Sequence, residues 1–233
     1  MTLFHVVTLF KESLAGYTGS SILKRAQKNK IIKIIFYSPR DYSKDKHKTV
    51  DDKAFGGGPG MVLKIEPIIK AVLSVINVLN ERTGKTPTTP TTPTTPTTSR
   101  TKVVILSPTG KQFTSKLASE WAKRYNSFIL ICGHYEGIDA RVKKILGAEE
   151  ISIGPYVLTG GELGAGVIID AVSRQIPGVL GKAGSLEETH GLGVPVYTRP
   201  EVFKHKGKSF KVPKVLMSGN HKRINEWRRA YAK

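Results

Sequence analysis

Five short apolar runs, most of which end at a turn containing serine, proline or glycine, constrain the fold of this chain most strongly. The runs are residues 3–10, 31–36, 103–106, 128–132 and 151–154. Helical patterns lie between them, at residues 20–27, 66–79 and 162–174 and around Leu117 and Trp121. Near-continuous apolar strands that alternate with helices are typical of a parallel sheet covered on both faces. The pattern therefore predicts an α/β fold with a mainly parallel sheet.

The charge balance indicates the kind of partner. In 233 residues, 37 Lys and Arg stand against 18 Asp and Glu, which gives a net charge of +19. Such an excess favours a polyanion, either nucleic acid or an anionic membrane surface. The chain has no run of about 18 uncharged apolar residues and does not open on the basic segment of a secretion signal. The composition therefore predicts a cytoplasmic protein that binds nucleic acid and no membrane.

Disulfides and metal sites are not expected. Cys132 is the only cysteine, which excludes a disulfide framework and a multi-cysteine zinc site. The six histidines are scattered without the spacing of metal ligands. We predict no metal site, and no motif indicates whether Mg²⁺ is required.

Composition divides the first four-fifths of the chain into a domain and a linker. Residues 1–180 carry the alternating strand and helix pattern. Within them, residues 85–100 are rich in Thr and Pro; prolines at fixed spacing with no large apolar residue cannot join a core, so we predict a loop insertion. Residues 181–195 are rich in glycine and predict an inter-domain linker.

The remaining residues, 196–233, form a strongly basic segment. From Arg199 to Lys233, eleven Lys and Arg stand against two Glu. The last helical pattern begins at Asn220, a suitable N-cap, and places Ile224, Trp227 and Tyr231 on one face. This concentration of charge favours phosphate contact over a plain solvated helix. We predict a small, basic, helical C-terminal domain.

Three glycine-rich turns follow predicted strands, at residues 106–110, 133–139 and 153–162. Ligands of parallel sheets bind at the carboxyl ends of the strands, and glycine lets the backbone approach a ligand closely. Neither a P-loop nor a dinucleotide-binding glycine motif is present in the sequence. Because Glu136, Asp139 and Glu162 lie in or beside the turns, the three turns together predict a small-molecule site.

Eight short motifs follow one another in a fixed order. They occupy residues 38–41, 49–52, 56–61, 135–139, 156–162, 176–180, 197–201 and 218–221. Together they resemble the bacterial tRNA (guanine-N1)-methyltransferases of the TrmD type, over nearly the whole chain except the Thr/Pro tract. The resemblance implies a SPOUT-type sheet with a deep trefoil knot, a homodimer, and S-adenosylmethionine as cofactor. The implied reaction methylates N1 of guanosine 37 in tRNA, next to the anticodon.

The resemblance also implies site residues. The turns would hold the cofactor through Leu106, Ser107, Pro108, Gly110, Gly133, Tyr135, Glu136, Ile153, Gly154, Pro155, Tyr156, Val157, Leu158, Gly160 and Gly161. The substrate-binding residues would be Asp52, Gly58, Gly60, Met61, Glu136, Ser218, Asn220 and His221.

The resemblance implies two catalytic residues. N1 of guanine carries a proton that must leave before the nitrogen can attack, and in the family an acid in the linker is the base that accepts it. An arginine at the end of the knot helix, which maps to Arg174, supplies a cation that stabilises the developing charge. Glu188 is our choice for that base; Glu187, or no linker carboxylate, are the alternatives. Arg174 could instead form a salt bridge with Asp170 one turn earlier.

The sequence departs from the family pattern at several positions. His134 stands where arginine is commoner, Pro155 where an acid is usual, and Thr109 is a smaller variant. The family usually continues beyond the position of Lys233, so the C-terminal domain is expected to be shortened. Two alternative functions stay open: a SPOUT methyltransferase acting on rRNA or on a ribose hydroxyl, and a non-catalytic basic RNA-binding protein.

Overall fold

The computed structural model describes residues 1–81, 100–181 and 193–231. The chain divides into two compact units, Met1–Leu180 and Gly181–Lys233. Almost all of the predicted Thr/Pro insertion and most of the predicted linker, including Glu187 and Glu188, lie outside the described residues.

The first unit contains seven strands and six helices among its described residues. The strands are β1 (Thr2–Val7), β2 (Ile32–Tyr37), β3 (Asp51–Asp52), β4 (Val62–Leu63), β5 (Thr101–Gln112), β6 (Ser127–Cys132) and β7 (Glu149–Ser152). The helices are α1 (Glu12–Thr18), α2 (Ser21–Lys28), α3 (Ile65–Glu81), α4 (Ser115–Arg124), α5 (Arg141–Leu146) and α6 (Glu162–Ser173). Five strands form one sheet in the order β2-β1-β6-β5-β7, and every pairing in it is parallel. The predicted mainly parallel α/β sheet is confirmed.

Helices cover both faces of this sheet. On the central strand β6, Phe128 and Leu130 pack into one hydrophobic cluster with buried residues of α1, α2, α4 and α6. Ile129 and Ile131 point to the other face, where they pack with α3 and α5. Because successive side chains of a strand alternate between faces, a strand covered on both sides must be apolar at every position. This requirement explains the continuous apolar runs in the sequence.

Strand β5 differs from its prediction in a way that shapes the sheet edge. It extends beyond Leu106 to Gln112, and both Leu106 and Lys111 lie opposite Ile151 of β7. The residues between them are therefore displaced from the ladder as an extended bulge, where the sequence predicted a turn. Helices α1 and α5 were not predicted, because seven and six residues are too few to establish a helical period.

The second unit is more than a helical domain. Strands β8 (Val202–His205) and β9 (Lys208–Lys211) form an antiparallel hairpin, followed by a 3₁₀ turn and helix α7 (His221–Tyr231). The predicted helix is present, but the prediction of a helical domain did not include the hairpin. All eight hairpin residues are exposed, so no alternation of buried side chains could reveal the strands.

Two predicted details of α7 are confirmed. Asn220 caps the helix, because its Oδ1 accepts a hydrogen bond from the backbone N–H of Arg223 at 3.1 Å. The ring of Trp227 contacts those of Tyr231 and Tyr197, with centroids 4.7 and 6.3 Å away. None of the helices in the described ranges is long and apolar enough to span a membrane.

Candidate functional site

A cavity of about 280 Å³ lies in the first unit, beside the bulge of β5 and the carboxyl ends of β6 and β7. Its walls come from the bulge after Leu106, the segment after Cys132 and the segment between β7 and α6. The lining residues are Leu106, Ser107, Pro108, Gly133, His134, Tyr135, Glu136, Gly137, Ile151, Ser152, Ile153, Tyr156, Val157, Leu158, Thr159, Gly160, Gly161 and Gly164. The three segments that the sequence singled out therefore meet around one cavity.

Backbone contacts hold two of these walls together. The N–H of Gly161 donates to the carbonyl of Gly133 at 2.9 Å, and His134 and Gly160 form an antiparallel bridge. A Cβ on Gly161 would lie 2.7 Å from Cα of Cys132, which is backbone and cannot swing aside. Only glycine permits this approach, so the residue type at position 161 follows from the packing of the cavity wall.

A buried carboxylate lies beneath the same wall. Glu162, the first residue of α6, is only 4% exposed. Its Oε1 accepts a hydrogen bond from the hydroxyl of Thr8, and its Oε2 lies 2.7 Å from Nε2 of His134. Thr8 Oγ1 also accepts from the backbone N–H of Phe10, whose ring meets the His134 ring edge-on with centroids 4.8 Å apart. The Glu162 carboxylate thus joins the end of β1, the end of β6 and the start of α6.

The segment after Cys132 is also joined to the loop that precedes β4. The N–H of Glu136 donates to the carbonyl of Met61 at 3.0 Å, and the N–H of Leu63 donates to that of Gly137 at 3.0 Å. Asp139 is held in the same way, since its N–H donates to Leu63. These bonds place Met61 and the adjacent Gly60 next to Glu136, so three of the predicted substrate-binding residues lie together.

The side chains of two other acidic candidates have local partners. The Asp139 carboxylate accepts from the Arg141 guanidinium, at 2.7 Å for Nη2, and this hydrogen bond lowers the pKa of Asp139. Asp52 accepts a hydrogen bond from the backbone N–H of Lys53 and lies 3.5 Å from Nζ of Lys64, and both contacts lower its pKa. Both carboxylates are therefore stabilised in the charged form and are poor proton acceptors at neutral pH.

Twelve of the fifteen residues expected to bind the cofactor line the cavity. The other three, Gly110, Gly154 and Pro155, are not among the lining residues. A Cβ on Gly110 would meet the backbone of Glu150, and one on Gly154 would meet the ring of Tyr156, so both glycines allow close packing beside the site. The sequence missed Ile151, Ser152 and Gly164, which line the cavity from a strand and a helix and carry no turn signal.

The remaining candidates lie elsewhere. Gly58 is exposed in the loop before β4. Ser218 and Asn220 belong to the second unit, where the Ser218 hydroxyl donates to the Val215 carbonyl and Asn220 caps α7, which begins at His221. Arg174 is half-buried at the C-terminal end of α6. Twelve residues of helix place it about 18 Å from Glu162, so Arg174 does not border the cavity of its own chain.

The charge of the cavity contrasts with that of the whole chain. Its lining residues, all within the described ranges, include no Lys or Arg and one carboxylate, Glu136. The lining includes apolar residues such as Leu106, Ile151 and Ile153 together with residues of the glycine-rich segments. Such a cavity suits a small, partly apolar ligand that is neutral or positively charged, and not a phosphate.

Cys132 ends β6 directly before Gly133, which lines the cavity. Burial, and secondarily the Glu162 carboxylate, raise the pKa of the Cys132 thiol well above its ordinary value. A buried thiol of this kind is inert as a nucleophile. The described residues contain no group of three His, Cys, Asp or Glu side chains that could hold a metal ion.

Comparison with known proteins decides the family. The family model described as tRNA (Guanine-1)-methyltransferase TrmD matches residues 2–233. The chain belongs to this family. Its relatives include a protein named tRNA (guanine-N(1)-)-methyltransferase from Thermomicrobium roseum, 46% identical over 232 residues, which cover 98% of this chain and 78% of the relative.

Two further relatives of the same name come from other bacteria. The protein of Dictyoglomus turgidum is 47% identical over 231 residues, 97% of this chain and 83% of the relative. That of Alkaliphilus oremlandii is 47% identical over 228 residues, 96% of this chain and 84% of the relative. The resemblance inferred from the eight motifs is therefore confirmed, and the cavity belongs to a TrmD-family fold.

Proposed function

We propose that this TrmD-family chain transfers a methyl group from S-adenosylmethionine to N1 of guanosine 37 in tRNA, in the cytoplasm. The observation that carries the proposal is the family match over residues 2–233, which includes the cavity and the basic second unit. An enzyme of this kind needs a site for a cationic methyl donor, a way to remove the N1 proton, and a surface for tRNA phosphates.

The cavity fits the methyl donor in both shape and charge. An adenosyl group offers a flat apolar ring with polar edges, which suits the apolar floor formed by Leu106, Ile151 and Ile153 and the backbone groups of Gly133 and Gly161. The sulfonium and the amino group are cations, and the absence of Lys and Arg from the described lining favours them. When bound, this group supplies an already activated methyl, so the protein mainly has to position the nucleotide.

The protein's own residues would deal with the proton on N1. A carboxylate of the predicted linker, Glu188 or alternatively Glu187, would accept that proton as general base. The Arg174 guanidinium would stabilise the negative charge that develops on O6 as the proton leaves. Glu136, whose side chain borders the cavity, would accept hydrogen bonds from the N–H groups of the guanine edge.

Other segments would bind the rest of the tRNA. The target nucleotide would be contacted beside Glu136 by residues that precede β4 in the chain, namely Asp52, Gly58, Gly60 and Met61. The second unit would be the tRNA-binding domain, with Ser218, Asn220 and His221 at the start of α7 and a high density of Lys and Arg for the phosphates.

The site would be completed by a second copy of the chain. Arg174 lies about 18 Å along α6 from the end that borders the cavity, too far to act on a base held there. Helix α6 also exposes two apolar side chains one turn apart, Leu163 at 61% and Val167 at 46%. A homodimer that packs this face of α6 would cover these side chains and bring Arg174 to its partner's cavity. The close passage of the segment before α6 beside Gly133 favours the trefoil knot of the SPOUT type.

A methyl-transfer assay tests the main proposal. Purified protein, labelled S-adenosylmethionine and a tRNA transcript with G36-G37 would be incubated, and the modified base identified. We expect 1-methylguanosine at position 37 and no transfer when G37 is changed to A. Transfer that persists with A37, or no cofactor binding at all, would overturn the proposal. Parallel reactions with EDTA in place of Mg²⁺ measure any need for the divalent ion.

Mixed dimers test the sharing of sites. Arg174→Ala removes the cation, and Gly161→Val disrupts the cavity wall through its collision with the Cys132 backbone. If the two residues serve one site across a dimer, co-expression of the two inactive variants restores activity, because each mixed dimer keeps one intact cavity with one intact arginine. If Arg174 acts within its own chain, the mixture stays inactive.

A further inference from the structure

Gly60, in the loop before β4, lies directly beside the side chain of Glu136. A Cβ built on Gly60 would lie 2.4 Å from Oε1 of Glu136, 2.7 Å from Cγ and 3.0 Å from Cδ. The same construction on Gly56, Gly57 or Gly58 meets nothing within 4 Å. All four glycines have positive φ, so backbone strain alone does not distinguish them. Gly60 is the one whose missing side chain leaves space for a functional carboxylate.

The backbone around this contact is fixed from both sides. Glu136 N–H donates to Met61, Leu63 N–H donates to Gly137, and Asp139 N–H donates to Leu63, all at 3.0 to 3.1 Å. Three consecutive hydrogen bonds of this kind resist separation of the two segments. Glu136, in contrast, is exposed to solvent. A methyl group on Gly60 would therefore be accommodated by rotation of the Glu136 side chain, with little effect on the fold.

We propose that Gly60 is a positioning residue. Because it has no Cβ, the Glu136 carboxylate can occupy the space beside the Cα of Gly60, at the edge of the cavity. The inference rests on the proposed function, in which Glu136 accepts hydrogen bonds from the target guanine. Hydrogen bonds to a carboxylate are strong only at short distance and good alignment. A displacement of the carboxylate by one to two ångströms would lower kcat/KM by about 10- to 100-fold.

A matched pair of variants separates this effect from backbone strain. The φ of Gly60 is +85° and that of Gly56 is +88°, so both positions lie in the same left-handed range of φ, which strains alanine. Only the Gly60→Ala side chain meets Glu136. We expect both variants to unfold at the same reduced denaturant midpoint, while Gly60→Ala alone shows the large loss in kcat/KM for tRNA.

A double-mutant cycle with Glu136→Ala provides the decisive test. If Gly60 acts through Glu136, Gly60→Ala costs no more than Gly56→Ala once the Glu136 side chain has been removed. A loss from Gly60→Ala that is equally large with and without Glu136, or one equal to that of Gly56→Ala in the wild-type background, would overturn the inference. If the wild-type chain itself does not methylate G37, the proposed function fails and this inference fails with it.

Discussion

The buried carboxylate of Glu162 offers the most direct test of how the cavity wall is held. It accepts hydrogen bonds from Thr8 and His134, which follow two different strands, while it starts helix α6 itself. Glu162→Ala removes both acceptors at once. The side chains left behind lose their partner in surroundings that admit little water, because Thr8 is 1% exposed.

The magnitude follows from these contacts. A hydrogen bond to a charged group contributes about 1.5–3 kcal/mol, and a buried group left without its partner costs a similar amount. The Thr8 contact is fully buried and the His134 side chain is 16% exposed, so the second contribution should be the smaller. We expect Glu162→Ala to destabilise the first unit by about 3–5 kcal/mol. Glu162→Gln keeps the shape of the side chain and one acceptor oxygen, so its destabilisation should be about half that of Glu162→Ala.

Tryptophan fluorescence makes the measurement specific to the first unit. Trp121 is buried in that unit, and Trp227→Phe removes the signal of the second unit. Urea unfolding would be followed in this background for wild type, the two Glu162 variants, and Glu120→Ala as a control on an exposed position of α4. The control should change the unfolding free energy by less than about 0.5 kcal/mol. A loss below about 1 kcal/mol for Glu162→Ala would refute the role assigned to the network.

Three further predictions address the same unit. Gly161→Ala should weaken cofactor binding by at least about tenfold, measured by calorimetry, because its Cβ would lie 2.7 Å from the Cys132 backbone; unchanged affinity would contradict the close packing. The Cys132 thiol, whose pKa is raised by burial, should react with a thiol reagent only after unfolding, and rapid reaction of the native protein would count against burial. The hydrogen bond to Asp170 raises the pKa of Tyr17 from 10.0 to about 12, so its stabilising effect is present below pH 10 and is lost as the pH rises towards 12. Asp170→Asn should return this pKa towards 10, as read from phenolate absorbance relative to Tyr17→Phe; no difference would exclude the hydrogen bond.

The sheet could be predicted from the sequence because of how it is buried. All six residues of β6 are inaccessible, and a strand covered on both faces leaves an unbroken apolar run in the sequence. The hairpin of the second unit could not be predicted in this way. Its residues are exposed on both faces, and runs such as 202–205 mix Val and Phe with Lys and His without alternation. Strands that bury nothing leave no periodic signal, so only the three-dimensional structure reveals them.

The cavity was predictable as a set of segments but not as a set of contacts. Glycine-rich turns after apolar strands indicate which segments meet, because parallel strands end at the same edge. Nothing in the spacing of Thr8, His134 and Glu162 indicates that they share one network, since they are separated by 126 and 28 residues along the chain. Such contacts depend on the order of the strands in the sheet, which local patterns do not specify.

The separation of Arg174 from the cavity, in contrast, follows from the predicted helix alone. A helix that begins at a cavity wall carries its twelfth successor about 18 Å away, whatever surrounds it. The same helix exposes Leu163 and Val167, which an isolated chain would leave in water. In a working enzyme these two facts are linked. If Arg174 acts on the guanine, a second chain covers the apolar face of α6. If that face stays exposed, the target guanine lies out of reach of Arg174. Methyl transfer by a strictly monomeric protein would therefore refute the role of Arg174 and not only the dimer.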